Sequence, residues 1–104
     1  MPTSNGTLLW LAPNRASARF DVDGTQTSCE MTLNPAVPFF GAAPATLDYD
    51  NKDQLFGAQR IDGHIGTGDF ETSFSNSSKI KGDLNTPIDQ YISVFGDGIW
   101  TQSL

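Results

Sequence analysis

The stretch Ala16–Leu33, ASARFDVDGTQTSCEMTL, decides the fold of this chain. Apolar and polar residues alternate on both sides of Asp23-Gly24, which is the pattern of strands with one buried face. Asp-Gly supplies the positive φ angles of a two-residue type I′ turn, and that turn pairs Val22 with Thr25. The pairing predicts an antiparallel hairpin whose apolar residues share one face. These residues are Ala16, Ala18, Phe20, Val22, Cys29, Met31 and Leu33.

The composition of the whole chain also favours strands. The 104 residues include two Glu, three Lys and eight Ala, but ten Thr, nine Ser, ten Gly and six Pro. Thr is enriched in strands, whereas Gly and Pro interrupt regular structure and mark turns. Short apolar runs between these turns predict an all-β fold, a small antiparallel β-sandwich or barrel of about eight short strands, with residues 1–104 as a single domain. Gly63, Gly66 and Gly68 predict a bend or bulge in one strand.

Charge and cysteine content exclude several classes of protein. Twelve acidic and six basic residues give a net charge of -6, which argues against nucleic acid as a partner. Cys29 is the only cysteine, so the chain has no intrachain disulfide and no thiolate metal cluster. Apolar runs of about 18 residues do not occur, so we expect no membrane span. Residues 1–6 lack the basic and apolar regions of a signal peptide, so we expect a soluble protein and leave its compartment open.

The sequence offers little for catalysis. His64 is the only histidine, and no G-x-S-x-G or H-E-x-x-H motif accompanies it. The glycines around it lack the phosphate-loop pattern. Cys29 falls on the buried face of the hairpin, where a thiol behaves as a small hydrophobic group. These observations favour a binding protein over an enzyme.

The aromatic residues indicate a binding site. Trp10 lies within an apolar run and is expected in the core, whereas Trp100 stands beside the polar residues Thr101 and Gln102. An indole with polar neighbours is typical of sugar sites, because the ring packs on the C–H face of a pyranose while the neighbours bind its hydroxyls. The alternative for Trp100 is a ring that caps the open end of a barrel. We expect a shallow ligand site formed by Trp100, Asp97, Gln102, Tyr91, Asp50 and Asn51.

The segment from Asp48 to Asp53 carries three aspartates and one asparagine. Carboxylate and amide oxygens are the ligands that calcium prefers. The order departs from an EF-hand loop, since Lys52 stands at a ligand position and Asp53 where glycine is required. Asp48, Asp50 and Asp53 are therefore candidate calcium ligands, with a polar turn as the alternative and no other cofactor expected.

Three functions fit these observations. The first is a non-catalytic, lectin-like domain that binds a glycan; the small size, acidity and low cysteine content resemble those of microbial and fungal lectins. The second is a calycin-like barrel that binds an apolar small molecule. The third is a structural or assembly protein, such as a viral or phage component. The first is favoured, because about eight short strands leave little interior room for a ligand. The second would use Phe56, Phe70, Phe74, Tyr91 and Phe95.

The proline-rich segment that contains Phe39 and Phe40 predicts a contact with another molecule. Adjacent side chains of an extended backbone point to opposite sides, so one of the two rings is expected to face outward. A small β domain also has strand edges that a symmetric dimer can pair. We expect a homo-oligomer with Phe39 or Phe40 in the contact.

Overall fold

The computed structural model of the chain describes residues 3–103. The fold is all-β, as predicted, and eight antiparallel strands form it. The strands are β1 (Thr3–Ala12), β2 (Arg15–Val22), β3 (Thr25–Asn34), β4 (Gly41–Asp48), β5 (Gly57–Ile65), β6 (Asp69–Phe74), β7 (Lys79–Asp83) and β8 (Ile92–Ser103). A single turn of 3-10 helix, Lys52–Gln54, lies between β4 and β5. No helix among residues 3–103 has the length and apolarity to cross a membrane.

The strands close into one barrel in the order β1-β2-β3-β8-β5-β6-β7-β4, so the barrel alternative is the correct one. The β2–β3 hairpin is confirmed in its predicted register, with Val22 opposite Thr25 and Ala18 opposite Cys29. Asp23 and Gly24 have φ angles of 54° and 81°. The type I′ turn that these angles allow keeps the apolar residues of both strands on the interior face.

Strand β5 runs without interruption through Gly63, because its pairing with β6 and β8 is continuous from Ile61 to Ile65. The predicted bend at this glycine is therefore wrong. A Cβ atom at Gly63 would lie 1.8 Å from the backbone oxygen of Glu71 on β6. This glycine allows two strands to approach closely, and the chain turns only at the next glycine, Gly66, whose φ is 99°.

The interior of the barrel is filled by side chains. Phe20, Phe70, Leu47 and Ile80 are each no more than 1% exposed. An eight-stranded barrel is either filled by side chains or holds one small ligand, and here buried side chains occupy the interior that the calycin-like alternative would use. Of the five aromatic residues suggested for such a chamber, Phe70 and Phe74 are buried, whereas Phe56, Tyr91 and Phe95 are exposed on the outside.

Two long connections cover one end of the barrel, which we name the loop end. They are residues 35–40, between β3 and β4, and residues 84–91, between β7 and β8. Backbone hydrogen bonds hold both in place. The Val37 amide donates to the Pro13 oxygen at 2.8 Å, and the Ile88 amide donates to the Thr67 oxygen at 2.8 Å. The two connections therefore form a defined surface rather than loose loops.

Candidate functional site

A cleft with mainly apolar walls lies at the loop end, between β1 and the two long connections. Its volume is about 350 Å³, within the range of small-molecule sites. We name it the Trp10 cleft. Its lining residues are Leu9, Trp10, Phe39, Phe40, Gly41, Asn85, Thr86, Pro87 and Ile88.

Trp10 and Phe39 form an aromatic pair in this cleft. The Trp10 indole Nε1 donates to the Val37 backbone oxygen at 3.1 Å, which fixes the orientation of the ring. The two ring centroids are 5.6 Å apart and the ring planes meet at 64°, a favourable edge-to-face arrangement. Phe39 is 74% exposed. Trp10 packs against the hydrophobic core, as predicted, but it is only half-buried and also lines the cleft.

The adjacent phenylalanines divide as predicted. Phe40 is 2% exposed and belongs to the core, whereas Phe39 faces outward. In the 35–40 connection, Phe40 therefore packs in the core, and Phe39 lies at the mouth of the cleft.

The opposite wall of the cleft is the segment Asn85–Ile88. The Asn85 amide donates to the Gly41 oxygen and the Ile88 amide to the Thr67 oxygen, both at 2.8 Å. The β5–β6 turn packs beneath this wall, since a Cβ atom at Gly66 would lie 2.9 Å from the Ile88 side chain. Both walls are therefore preformed, which lowers the entropic cost of ordering a site when a ligand binds.

Ionisable side chains are absent from the lining of the Trp10 cleft as the structure describes it. Thr86 and Asn85 supply its polar side-chain groups, and the other seven residues are apolar or glycine. A site of this composition can hold an apolar or aromatic group by burial, but it offers no acid or base for proton transfer.

Trp100 occupies a different environment from the predicted one. It is 2% exposed and packs inside the barrel against Phe74, with ring centroids 5.1 Å apart. Its Nε1 has no hydrogen-bond partner in the described part of the chain. A ring enclosed in this way cannot stack on a sugar, so the predicted role of Trp100 is wrong. It belongs to the core and is paired with Gly57, the first residue of β5.

The other residues of the predicted sugar site are divided between the two ends and the middle of the barrel. Asp97 is exposed on the outer surface in the middle of β8. Gln102 is near the far end of the same strand, where its Nε2 donates to the Leu55 oxygen at 2.9 Å. Tyr91 lies at the loop end, and Asp50 and Asn51 are in the β4–β5 connection at the opposite end. The structure does not bring these residues together as one site.

The segment from Asp48 to Asp53 forms the polar turn that was the alternative to a calcium site. The Asn51 Oδ1 accepts a hydrogen bond from the Asp53 amide at 2.9 Å, a local turn contact. Asp48 instead pairs with Lys81, at 3.2 Å between Oδ2 and Nζ. No group of three metal-ligating side chains converges anywhere in the described residues. The assignment of Asp48, Asp50 and Asp53 to one calcium site is therefore wrong.

His64 has two partners near the loop end. Its Nε2 is 3.1 Å from the Asp69 Oδ1, and its ring stacks on Tyr91 with centroids 4.8 Å apart. Among the described residues, the side-chain hydrogen bond of His64 is to this carboxylate and not to a hydroxyl or a thiol. These contacts attach Tyr91, at the end of the 84–91 connection, to β5 and β6. We assign them a structural role.

Two other hollows are larger but more polar. One of about 620 Å³ lies outside β6 and β7, and its Lys81 is already paired with Asp48. Another of about 450 Å³ lies beside Arg60, Asp62 and Phe95. Neither has the two facing apolar walls of the Trp10 cleft, which is the best candidate for ligand binding.

Comparison with protein families, with curated proteins and with solved structures gives no match.

Proposed function

We propose that the protein is a non-catalytic binding module that takes an apolar or aromatic group of a small molecule into the Trp10 cleft. The observation that carries this proposal is the pair Trp10 and Phe39, held edge to face at the mouth of a preformed apolar cleft. Burying apolar ligand surface against such walls contributes roughly 25 cal/mol per Å². This proposal keeps the apolar small-molecule ligand suggested by the sequence, but it places the binding site at the loop end and not in the interior of the barrel.

A titration with Nile red, a neutral dye that fluoresces in apolar surroundings, tests this proposal. Wild-type protein is compared with Phe39→Ser and with the matched control Phe56→Ser. Both residues are largely exposed, at 74% and 66%, but only Phe39 lines the cleft. We expect Phe39→Ser to weaken binding about tenfold and Phe56→Ser to leave it unchanged. Equal binding by all three proteins would contradict the assignment of the site.

A glycan remains a second candidate ligand for the same cleft. Asp89 and Gln90 are exposed next to Ile88 in the cleft wall, and Thr86 is within the cleft. Such polar groups beside an aromatic ring are suited to a pyranose. A glycan array with wild type and Phe39→Ser distinguishes the two candidates. A signal that is lost in Phe39→Ser supports the lectin-like function, and the absence of any signal leaves the apolar ligand as the proposal.

A further inference from the structure

A smaller hollow adjoins the Trp10 cleft at the loop end. It has a volume of about 230 Å³ and is lined by Pro38, Ile88, Asp89 and Gln90. Ile88 also lines the Trp10 cleft, and Pro38 precedes Phe39 in the chain. The same two connections therefore form both hollows, and we name the smaller one the Asp89 hollow. A ligand whose ring occupies the cleft can extend past Ile88 into it.

Asp89 is the one residue with a charged side chain at neutral pH in the four connections that meet at the loop end. These connections are residues 13–14, 35–40, 66–68 and 84–91. Asp89 is exposed, and no cation among the described side chains lies within ion-pair distance of it. Its carboxylate therefore has no counter-charge from the described part of the chain, and a cationic group of a ligand can supply one.

The strand ends beside these connections carry more negative than positive charge. Their charged residues are Arg15, Asp69 and Asp83. Arg15 lies 3.9 Å from the Glu30 carboxylate on β3, and it lines neither the Trp10 cleft nor the Asp89 hollow. Asp69 is bound to His64 at 3.1 Å. The loop end therefore favours a cation over an anion, in the same direction as the net charge of -6.

We propose that the ligand of the Trp10 cleft is an aromatic amine, with its ring in the cleft and a protonated amino group on a short chain beside Asp89. This inference rests on the proposed function and adds a charge specificity to it. The cleft lining supplies no ionisable side chain, so separate parts of the site bind the ring and the amino group. An apolar cleft next to one carboxylate distinguishes such a molecule from its neutral and acidic analogues, because the acidic analogue is repelled.

Three phenols that share one ring and differ in the end of a short chain test the proposal. Tyramine is cationic, 4-ethylphenol is neutral and 3-(4-hydroxyphenyl)propionate is anionic. Each is titrated into ¹⁵N-labelled protein at about pH 7.5, where an alkylamine keeps its proton and a carboxylic acid has lost it. The salt concentration is about 10 mM, so that screening is weak. The indole N–H signal of Trp10, assigned with a Trp10→Phe variant, gives each dissociation constant. Relative to 4-ethylphenol, we expect tyramine to bind about threefold more tightly and the propionate about threefold more weakly.

Asp89→Asn is the decisive variant, and Asp50→Asn is its matched control. Both substitutions remove one exposed negative charge and nearly preserve side-chain size, but Asp50 lies in the β4–β5 connection at the opposite end of the barrel. We expect Asp89→Asn to bring the affinities of the three phenols close together and Asp50→Asn to retain the wild-type order. The affinity for 4-ethylphenol should be the same in all three proteins, because neither residue lines the Trp10 cleft.

The outcomes separate a failure of this proposal from a failure of the proposed function. Wild type that binds 4-ethylphenol without distinguishing tyramine from the propionate overturns the amine and leaves the proposed function in place. A wild-type order that survives Asp89→Asn, or that Asp50→Asn removes equally, also overturns the amine site. Absence of binding by all three phenols contradicts the proposed function and this inference together. The ¹H–¹⁵N spectrum of each variant shows whether it is folded, and Asp89→Ser is the second variant if Asp89→Asn is not.

Discussion

At the scale of single residues, Cys29 gives a pH dependence that can be measured. Its side chain is completely buried; burial raises the pKa of the thiol, and the neighbouring Glu30 carboxylate acts in the same direction. In the unfolded chain a thiol ionises near pH 8.5, so above about this pH the unfolded state loses a proton that the folded state retains. The free energy of unfolding should therefore fall as the pH rises, by up to about 1.4 kcal/mol per pH unit. Urea unfolding between about pH 8 and about pH 9.5 measures this slope, and Cys29→Ala should flatten it. Identical slopes for the two proteins would show that the thiol is not responsible.

Also at this scale, Trp100 shows why the ligand site was placed wrongly from the sequence. In β8 the two inward positions immediately before Trp100 are Gly96 and Gly98, while the outward positions include Phe95 and Ile99. The alternation of apolar and polar residues is therefore obscured between residues 95 and 99, and it does not show that Trp100 points inward. A Cβ atom at Gly98 would lie 2.8 Å from the Phe74 ring, so the aromatic rings take the space that larger side chains would need. The two inward positions next to Trp100 therefore have no apolar side chain that would mark this side of the strand as buried.

At the scale of elements, the β2–β3 hairpin rests on Gly24. Its φ of 81° lies in the left-handed region, and a Cβ atom there would meet no neighbour, so any cost of Gly24→Ala comes from the backbone alone. We expect a loss of about 1–2 kcal/mol in the free energy of unfolding. Gly68→Ala is the matched control, because Gly68 also has open space around it and its φ is not in the left-handed region. Chemical denaturation should separate the two variants, and equal stabilities would mean that Gly24 does not adopt this turn. The hairpin could be predicted because its turn and both its strands are local in sequence. The pairing register of β1 could not, because it shifts at a bulge between Trp10 and Ala12.

At the scale of the whole molecule, closure of the barrel is the feature that the sequence could not supply. Strand β4 pairs with β1 on one side and with β7 on the other, and β8 inserts between β3 and β5. These pairings join segments distant in the chain, so no local pattern specifies them. Closure also shows that the expected unpaired strand edges are absent from the described residues. An oligomer through Phe39 stays a prediction, and it now rests on the exposure of that ring and not on strand pairing.

We propose that the molecule binds its ligand at the loop end, in the Trp10 cleft, whereas Trp100 belongs to the core. A ¹H–¹⁵N spectrum tests it directly, because the two indole N–H groups give two separate signals that a Trp10→Phe variant assigns. The protein is titrated with p-cresol and with 1-naphthol, two small apolar aromatic molecules. We expect the Trp10 signal and the amide signals of Leu9 and Ile88 to shift and reach saturation, while the Trp100 signal does not shift. A Trp10 signal that does not move, or shifts confined to residues 95–99 of β8, would contradict it.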